Sequence, residues 1–268
     1  MFAPTLLSGR LCVRDPKDQD QSISFSRHRE LIKVMNTTKH IIYLLVVCLV
    51  LSTLGSCDTE PSIHILLIGN SFTFFNGGLD KGLKGLTPAA ETECIAVGGY
   101  SLESHWDNGS ALKRIQETKW DYVVLQEQSQ IPVINQKLFF EFARKFDEEI
   151  RRSGAKTILL MTWERPDSRQ LGITTEALAA AYTDLGKQLG ARVAPAGTAF
   201  ARSLHHRPEL ALYRQDGHPT IEGTYLASCV LYHTIFGQSP VGNPYSEPSI
   251  PDDTRDFLQR AAVDSLGS

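Results

Sequence analysis

Two short segments carry residue types that can act together chemically. ILLIGNSFTFFNG (65–77) runs four apolar residues into Gly69-Asn70-Ser71, and RQDGHPTIEGTYLAS (214–228) sets Asp216 and His218 in a loop with Gly217 and Pro219. A serine hydroxyl alone is a weak nucleophile. It needs an imidazole to take its proton and, usually, a carboxylate to orient the ring. At a strand-to-helix turn its hydroxyl would lie at the sheet edge, with its own N–H facing outward where a developing anion could be held. The bland alternative is a helix cap, a common use of serine, and the presence of His218 is what separates the two. The other histidines carry less. His205-His206 reads as surface and His233 as a packed residue of the last strong helix, and neither cysteines nor histidines stand at metal-ligand spacing.

The elements that must bring these segments together alternate along the chain. Apolar runs at 63–69, 93–97, 122–128, 156–163 and 191–197 read as strands. Between and after them, helical spacing is seen over 110–118, 136–154, 175–190, 197–206 and 220–236, and the tail from Asp252 reads as a last amphipathic helix. Strands separated by helices predict a mostly parallel five-stranded sheet with helices on both faces, an α/β fold in three layers. In such sheets ligand sites collect beyond the carboxyl ends of the strands. The residues leaving those ends are Gly69-Asn70-Ser71, Gly98-Gly99-Tyr100-Ser101, Gln126-Glu127-Gln128-Ser129 and Trp163-Glu164, a set of small, amide and hydroxyl groups free of lysine.

The chain has 268 residues, 42% hydrophobic and 21% charged, with a net charge of −3. That supports one substantial core and gives no basic field for nucleic acid. The first part stands apart from the core. MNTTKHIIYLLVVCLVLSTLGSC (35–57) has a lysine-bearing start, an apolar stretch and small residues before Cys57, the layout of a secretory signal. Its LGSC ending resembles a bacterial lipobox, which implies cleavage before Cys57, a lipid on that cysteine and a place in the cell envelope outside the cytoplasm. Residues 1–34 are polar and aperiodic, and are expected to be an over-extended or disordered start. Residues 57–268 are expected to form a single domain, with Cys94 and Cys229 as buried free thiols.

Taken in order, GNSFT, VGGYSL and DGHP together resemble the sequence blocks of the SGNH (GDSL-type) hydrolases. The resemblance implies the three-layer flavodoxin-like sheet and a serine esterase that uses no cofactor. It makes Ser71 the nucleophile, His218 the general base and acid, and Asp216 its orienting partner. The N–H groups of Ser71 and Gly99 become oxyanion donors. Two departures are visible. The family's third block, Gly-x-Asn-Asp, is replaced by LQEQSQ, so a glutamine amide must take the asparagine's place, Gln128 ahead of Gln126. The acid and histidine are spaced Asp-x-His instead of Asp-x-x-His. Asn70, His105 and Trp163 flank these blocks and are candidates to line the substrate pocket, Trp163 as a platform for a sugar face. The expected substrate is a small-molecule or glycan ester, with an O-acetyl carbohydrate preferred. A lipid or thioester substrate, or a non-catalytic glycan-binding role, is the alternative.

Overall fold

The computed structural model describes residues 62–267 and, nearer the N-terminus, Met35 and residues 37–40 and 42–43, which are helical. Cys57 and most of the expected signal segment lie outside the described residues. Among the described residues no helix is long and apolar enough to cross a membrane. The chain divides into two compact units, Met1–Thr59 and Glu60–Ser268, and the second carries everything that follows.

Five strands form one sheet in the order β2-β1-β3-β4-β5, every pair parallel: β1 Ile63–Gly69, β2 Ala90–Ala96, β3 Tyr122–Leu125, β4 Lys156–Leu160 and β5 Arg192–Ala194. The central strands are buried on both faces, as parallel strands under two helical layers must be, and their residues divide by parity. Ile65, Leu67, Val124, Ile158 and Leu160 join one core. That core is covered by α2 (Leu79–Leu86), α8 (Ala196–His206), α9 (Ile221–Phe236) and α10 (Asp252–Leu266). Leu66, Ile68, Val123, Leu125 and Leu159 join the other, covered by α3 (Leu102–Asn108), α4 (Ser110–Glu117), α6 (Gln136–Arg152) and α7 (Thr175–Leu189). Two single-turn helices, α1 (Ser71–Phe74) directly after β1 and α5 (Ile131–Ile134) after β3, and two 3₁₀ turns, Phe75–Gly77 and Arg169–Leu171, complete the order among the described residues. The sheet is wholly parallel where a mostly parallel one is expected from sequence. Its strands end earlier than the apolar runs suggest: Gln126 N and Met161 N make the last bonds across the sheet, to Ile68 O and Ala194 O, and the chain leaves the ladder after them. Cys94 and Cys229 are both free thiols, Cys229 buried and Cys94 half-buried.

Candidate active site

The site begins where β1 stops. Asn70 caps α1, its Oδ1 accepting from Phe72 N at 3.1 Å, so Ser71 becomes the first helical residue and its N–H has no intrahelical partner. The turn is tight. A Cβ on Gly69 would meet Thr73 Oγ1 at 2.3 Å and Gln126 Oε1 at 2.6 Å. Glycine therefore lets the serine turn close against the β3 end.

Facing it is a hairpin after β5 and α8. Arg214 N donates to His218 O at 2.8 Å, and Gly217 N donates to Arg214 O at 2.9 Å, closing a turn over 214–217. Gly217 sits at φ +83°, the left-handed conformation that finishes such a turn and that a side chain disfavours. This residue is the x of Asp-x-His, and its conformation compensates for the short spacing. It folds Asp216 back so that Oδ1 accepts from His218 N at 3.1 Å and Oδ2 lies 3.1 Å from His218 Nδ1. The ring N–H is not aimed along that second line, so the Nδ1 contact is electrostatic without being a formed hydrogen bond. Asp216 is 62% exposed, and the His218 backbone N–H, then the ring, hold its carboxyl below the usual range. On the other edge of the ring, His218 Nε2 lies 2.9 Å from Ser71 Oγ. With Nδ1 protonated, Ser71 Oγ–H donates to Nε2, the arrangement a general base requires. Phe75 stacks on the imidazole at 4.6 Å and Phe72 meets it edge-on at 5.5 Å.

The two hairpin anchors that keep the imidazole there come from distant segments. Trp163 was a candidate sugar platform. It is 2% exposed instead, stacked between Phe72 at 4.7 Å and Phe200 at 4.2 Å, and its Nε1–H donates to Gly217 O at 3.0 Å. Asn76, which sequence reasoning passed over, takes φ +53° just beyond α1. Its Nδ2 donates to Pro219 O at 3.0 Å and to Thr224 Oγ1 at 2.9 Å. It ties the serine segment to the histidine segment. Asn-Gly-Gly at 76–78 was the available signal, since asparagine before glycine favours the left-handed region. A cleft of about 300 Å³ opens beside the hairpin, lined by Trp163, Glu164, Arg169, Phe200 and Tyr213 among others.

Asn70 and His105 were also candidates to touch substrate, and both are turned to backbone. Asn70 is buried; beside its capping bond, its Nδ2 donates to Tyr100 O at 2.9 Å. His105 is buried with Nε2 2.6 Å from Gly69 O, and because a carbonyl only accepts, Nε2 carries the hydrogen. Burial, partly opposed by that bond, pushes its pKa down and keeps the ring neutral. These residues fix the loops that carry the site.

The expected oxyanion donors separate in the same way. Tyr100 N donates to Val97 O at 3.1 Å, closing a turn that leaves Gly98 and Gly99 exposed, with Gly99 at φ +76°. Gln126 is 1% exposed and fully engaged as an acceptor: its Oε1 takes Asn70 N and Thr73 Oγ1, both at 2.9 Å, while Nε2 donates to Glu127 O. Its amide braces the serine turn from behind. Gln128 is half-buried, and its Oε1 accepts from Gln130 N at 2.9 Å and Ile131 N at 3.3 Å. Among the described residues only its carbonyl end is engaged, and its NH₂ end has no acceptor.

No protein-family model matches the sequence, and no curated protein matches it. Solved structures do. A DUF4886 family protein from Bacteroides uniformis aligns with a TM-score of 0.65 and 19% identity, over 76% of this chain and 95% of that one. A candidate SGNH hydrolase from Slackia heliotrinireducens aligns with a TM-score of 0.58 and 27% identity, over 65% of this chain and 99% of that one. An acetyl xylan esterase shares the fold at a TM-score of 0.53 and 17% identity, over 65% of this chain and all of its own, 100%. By this likeness, and above all by that to the candidate SGNH hydrolase at 27% identity, the chain has the fold of the SGNH/GDSL hydrolases.

Proposed function

We propose that the protein is a serine esterase in which His218 Nε2 takes the Ser71 proton as Oγ attacks an ester carbonyl. The 2.9 Å contact between Ser71 Oγ and His218 Nε2, made across a separation of 147 residues, is the observation that carries this reading. The tetrahedral oxyanion is held by the N–H groups of Ser71 and Gly99 and by the Gln128 amide. The imidazolium then protonates the leaving alcohol, and water, deprotonated by the same imidazole, releases the acyl group from Ser71. Asp216 acts on the ring mainly through its charge and through the His218 backbone. The preferred substrate is an O-acetyl ester of a carbohydrate. The acetyl xylan esterase with the same fold supports it, as does the envelope address that the LGSC segment supports, with a lipid on Cys57 holding the enzyme outside the cytoplasm. The test is direct. The purified protein should hydrolyse p-nitrophenyl acetate and take a fluorophosphonate label on Ser71, and Ser71→Ala should do neither; equal rates for the two proteins refute the proposal. A Cys57→Ala precursor that still acquires labelled fatty acid would refute the anchor.

A further inference from the structure

Glu127 stands between the two glutamines yet has no part in the mechanism above, and it is 1% exposed. Burial pushes its carboxyl up to about 7, against the pull of the backbone N–H groups of Gln128 and Leu102. A carboxyl is costly in such a place unless its bonds do something an apolar side chain could not. Its Oε1 accepts from Gln128 N at 2.6 Å and from Leu102 N at 3.2 Å, while Oε2 is buried without a partner. Those two N–H groups belong to different loops. Leu102 opens α3 directly after the Gly98-Gly99 turn that follows β2, and Gln128 follows β3. In the sheet order β2-β1-β3 those strands are not neighbours, and the Ser71 turn emerges between them. Asn70 already joins the serine turn to each side, through Tyr100 O and Gln126 Oε1. Glu127 closes the remaining span.

We infer that Glu127 is a positioning residue that sets the distance between the Gly99 and Gln128 oxyanion donors by holding both of their loops on one carboxyl oxygen. This rests on the serine-esterase reading. With the full-length protein, Glu127→Ala should lower kcat for p-nitrophenyl acetate about 10- to 100-fold with KM within about twofold, the penalty of a misplaced catalytic group. Glu127→Gln, whose Oε1 can accept the same two N–H groups, should stay within about threefold of wild type. A thionoester, whose sulfur bonds poorly to an oxyanion hole, should lose less than the ester in Glu127→Ala, whereas general loosening would slow both alike and overturn the inference. In the wild type the Leu102 and Gln128 amides should be protected from hydrogen exchange. Free exchange of either overturns the inference even if Glu127→Ala does not fold. A wild type that leaves Ser71 unlabelled by fluorophosphonate would instead sink the esterase reading while the amide protection still stood, so the two failures are told apart.

Discussion

Replacing Trp163 by Phe separates two roles that an indole at this place can have. Phenylalanine keeps an aromatic face between Phe72 and Phe200, but it removes the Nε1–H donated to Gly217 O at 3.0 Å. Gly217 is buried, and leaving its carbonyl without a partner costs about 1–3 kcal/mol. Each kcal/mol lowers the melting temperature by about 2–4 °C in a domain of this size. The carbonyl belongs to the residue between Asp216 and His218, so the loss falls on the hairpin that presents the imidazole. A change of about 1–2 kcal/mol in the hairpin's preference for its bonded arrangement lowers the ratio of bonded to unbonded hairpin ~5- to 30-fold. That ratio bounds the loss, so kcat should fall by no more than that, equally for p-nitrophenyl acetate and for an acetylated oligosaccharide, with KM little changed for either. If Trp163 were a sugar platform, KM for the oligosaccharide would rise and the small ester would be untouched. That second pattern refutes the anchoring role.

Four further outcomes follow from the geometry. Gly217→Ala should cost about 1–2 kcal/mol for a left-handed non-glycine residue, read as a lower melting temperature, and a further loss of rate, because its Cβ would meet Arg165 Cγ at 2.7 Å. Asn76→Asp keeps the tolerance for φ +53° but cannot donate to Pro219 O; kcat should fall while the far-ultraviolet circular dichroism stays that of the wild type. Asp216→Asn should lower kcat only about 10-fold, against the ~10⁴ lost where such a carboxylate is buried and fully bonded, because Asp216 is 62% exposed and its Nδ1 contact is not aligned. Glu127, pushed by burial to about 7 from an ordinary 4.5, with Glu103 on α3 acting in the same sense and Tyr182 on α7 facing it, keeps a proton in the folded chain that the unfolded chain releases. Stability should therefore fall as pH rises between those two values. Glu127→Gln should remove a slope amounting to on the order of 3 kcal/mol across that window, measured by urea unfolding at its two ends.

How far the sequence reveals this differs by residue, for physical reasons. The central strands are legible because β1 and β3 are apolar on both faces, and α6 and α9 because their apolar spacing is long. α2, in LDKGLKGL, is not. Gly82 and Gly85 weaken its helical signal, and their purpose is tertiary: a Cβ on Gly82 would meet Ser228 Oγ at 2.2 Å, and one on Gly85 the Tyr245 ring at 2.1 Å. The meeting of Ser71 with His218 is legible because each lies in a short block with its own turn chemistry. Trp163, His105 and Asn70 are legible as residues near the site but not in their orientation, because all three point inward to backbone groups that only the folded chain brings near. Asn76 and Glu127 are missed for the same reason, since each acts on the main chain of a segment far away in sequence.

That shared feature explains why so much polarity is buried at one edge of the sheet. The loops leaving β1, β2 and β3 must depart from the ladder to form a rim, and each departure strands backbone groups that burial makes costly. Asn70, His105, Gln126 and Glu127 meet that need from side chains, binding Tyr100 O, Gly69 O, Asn70 N and Leu102 N respectively. Apolar replacements of equal volume would fill the space and leave those backbone groups unpaired, so the loops would relax toward other pairings while the two cores stayed intact. The polar rim therefore bears little on whether the sheet forms and much on where Ser71, Gly99 and Gln128 stand relative to one another. If Gln128 serves as the third donor in the proposed esterase, its position is set by the carboxyl and amides beneath it, and such a site would tolerate a glutamine where the Gly-x-Asn-Asp block carries asparagine.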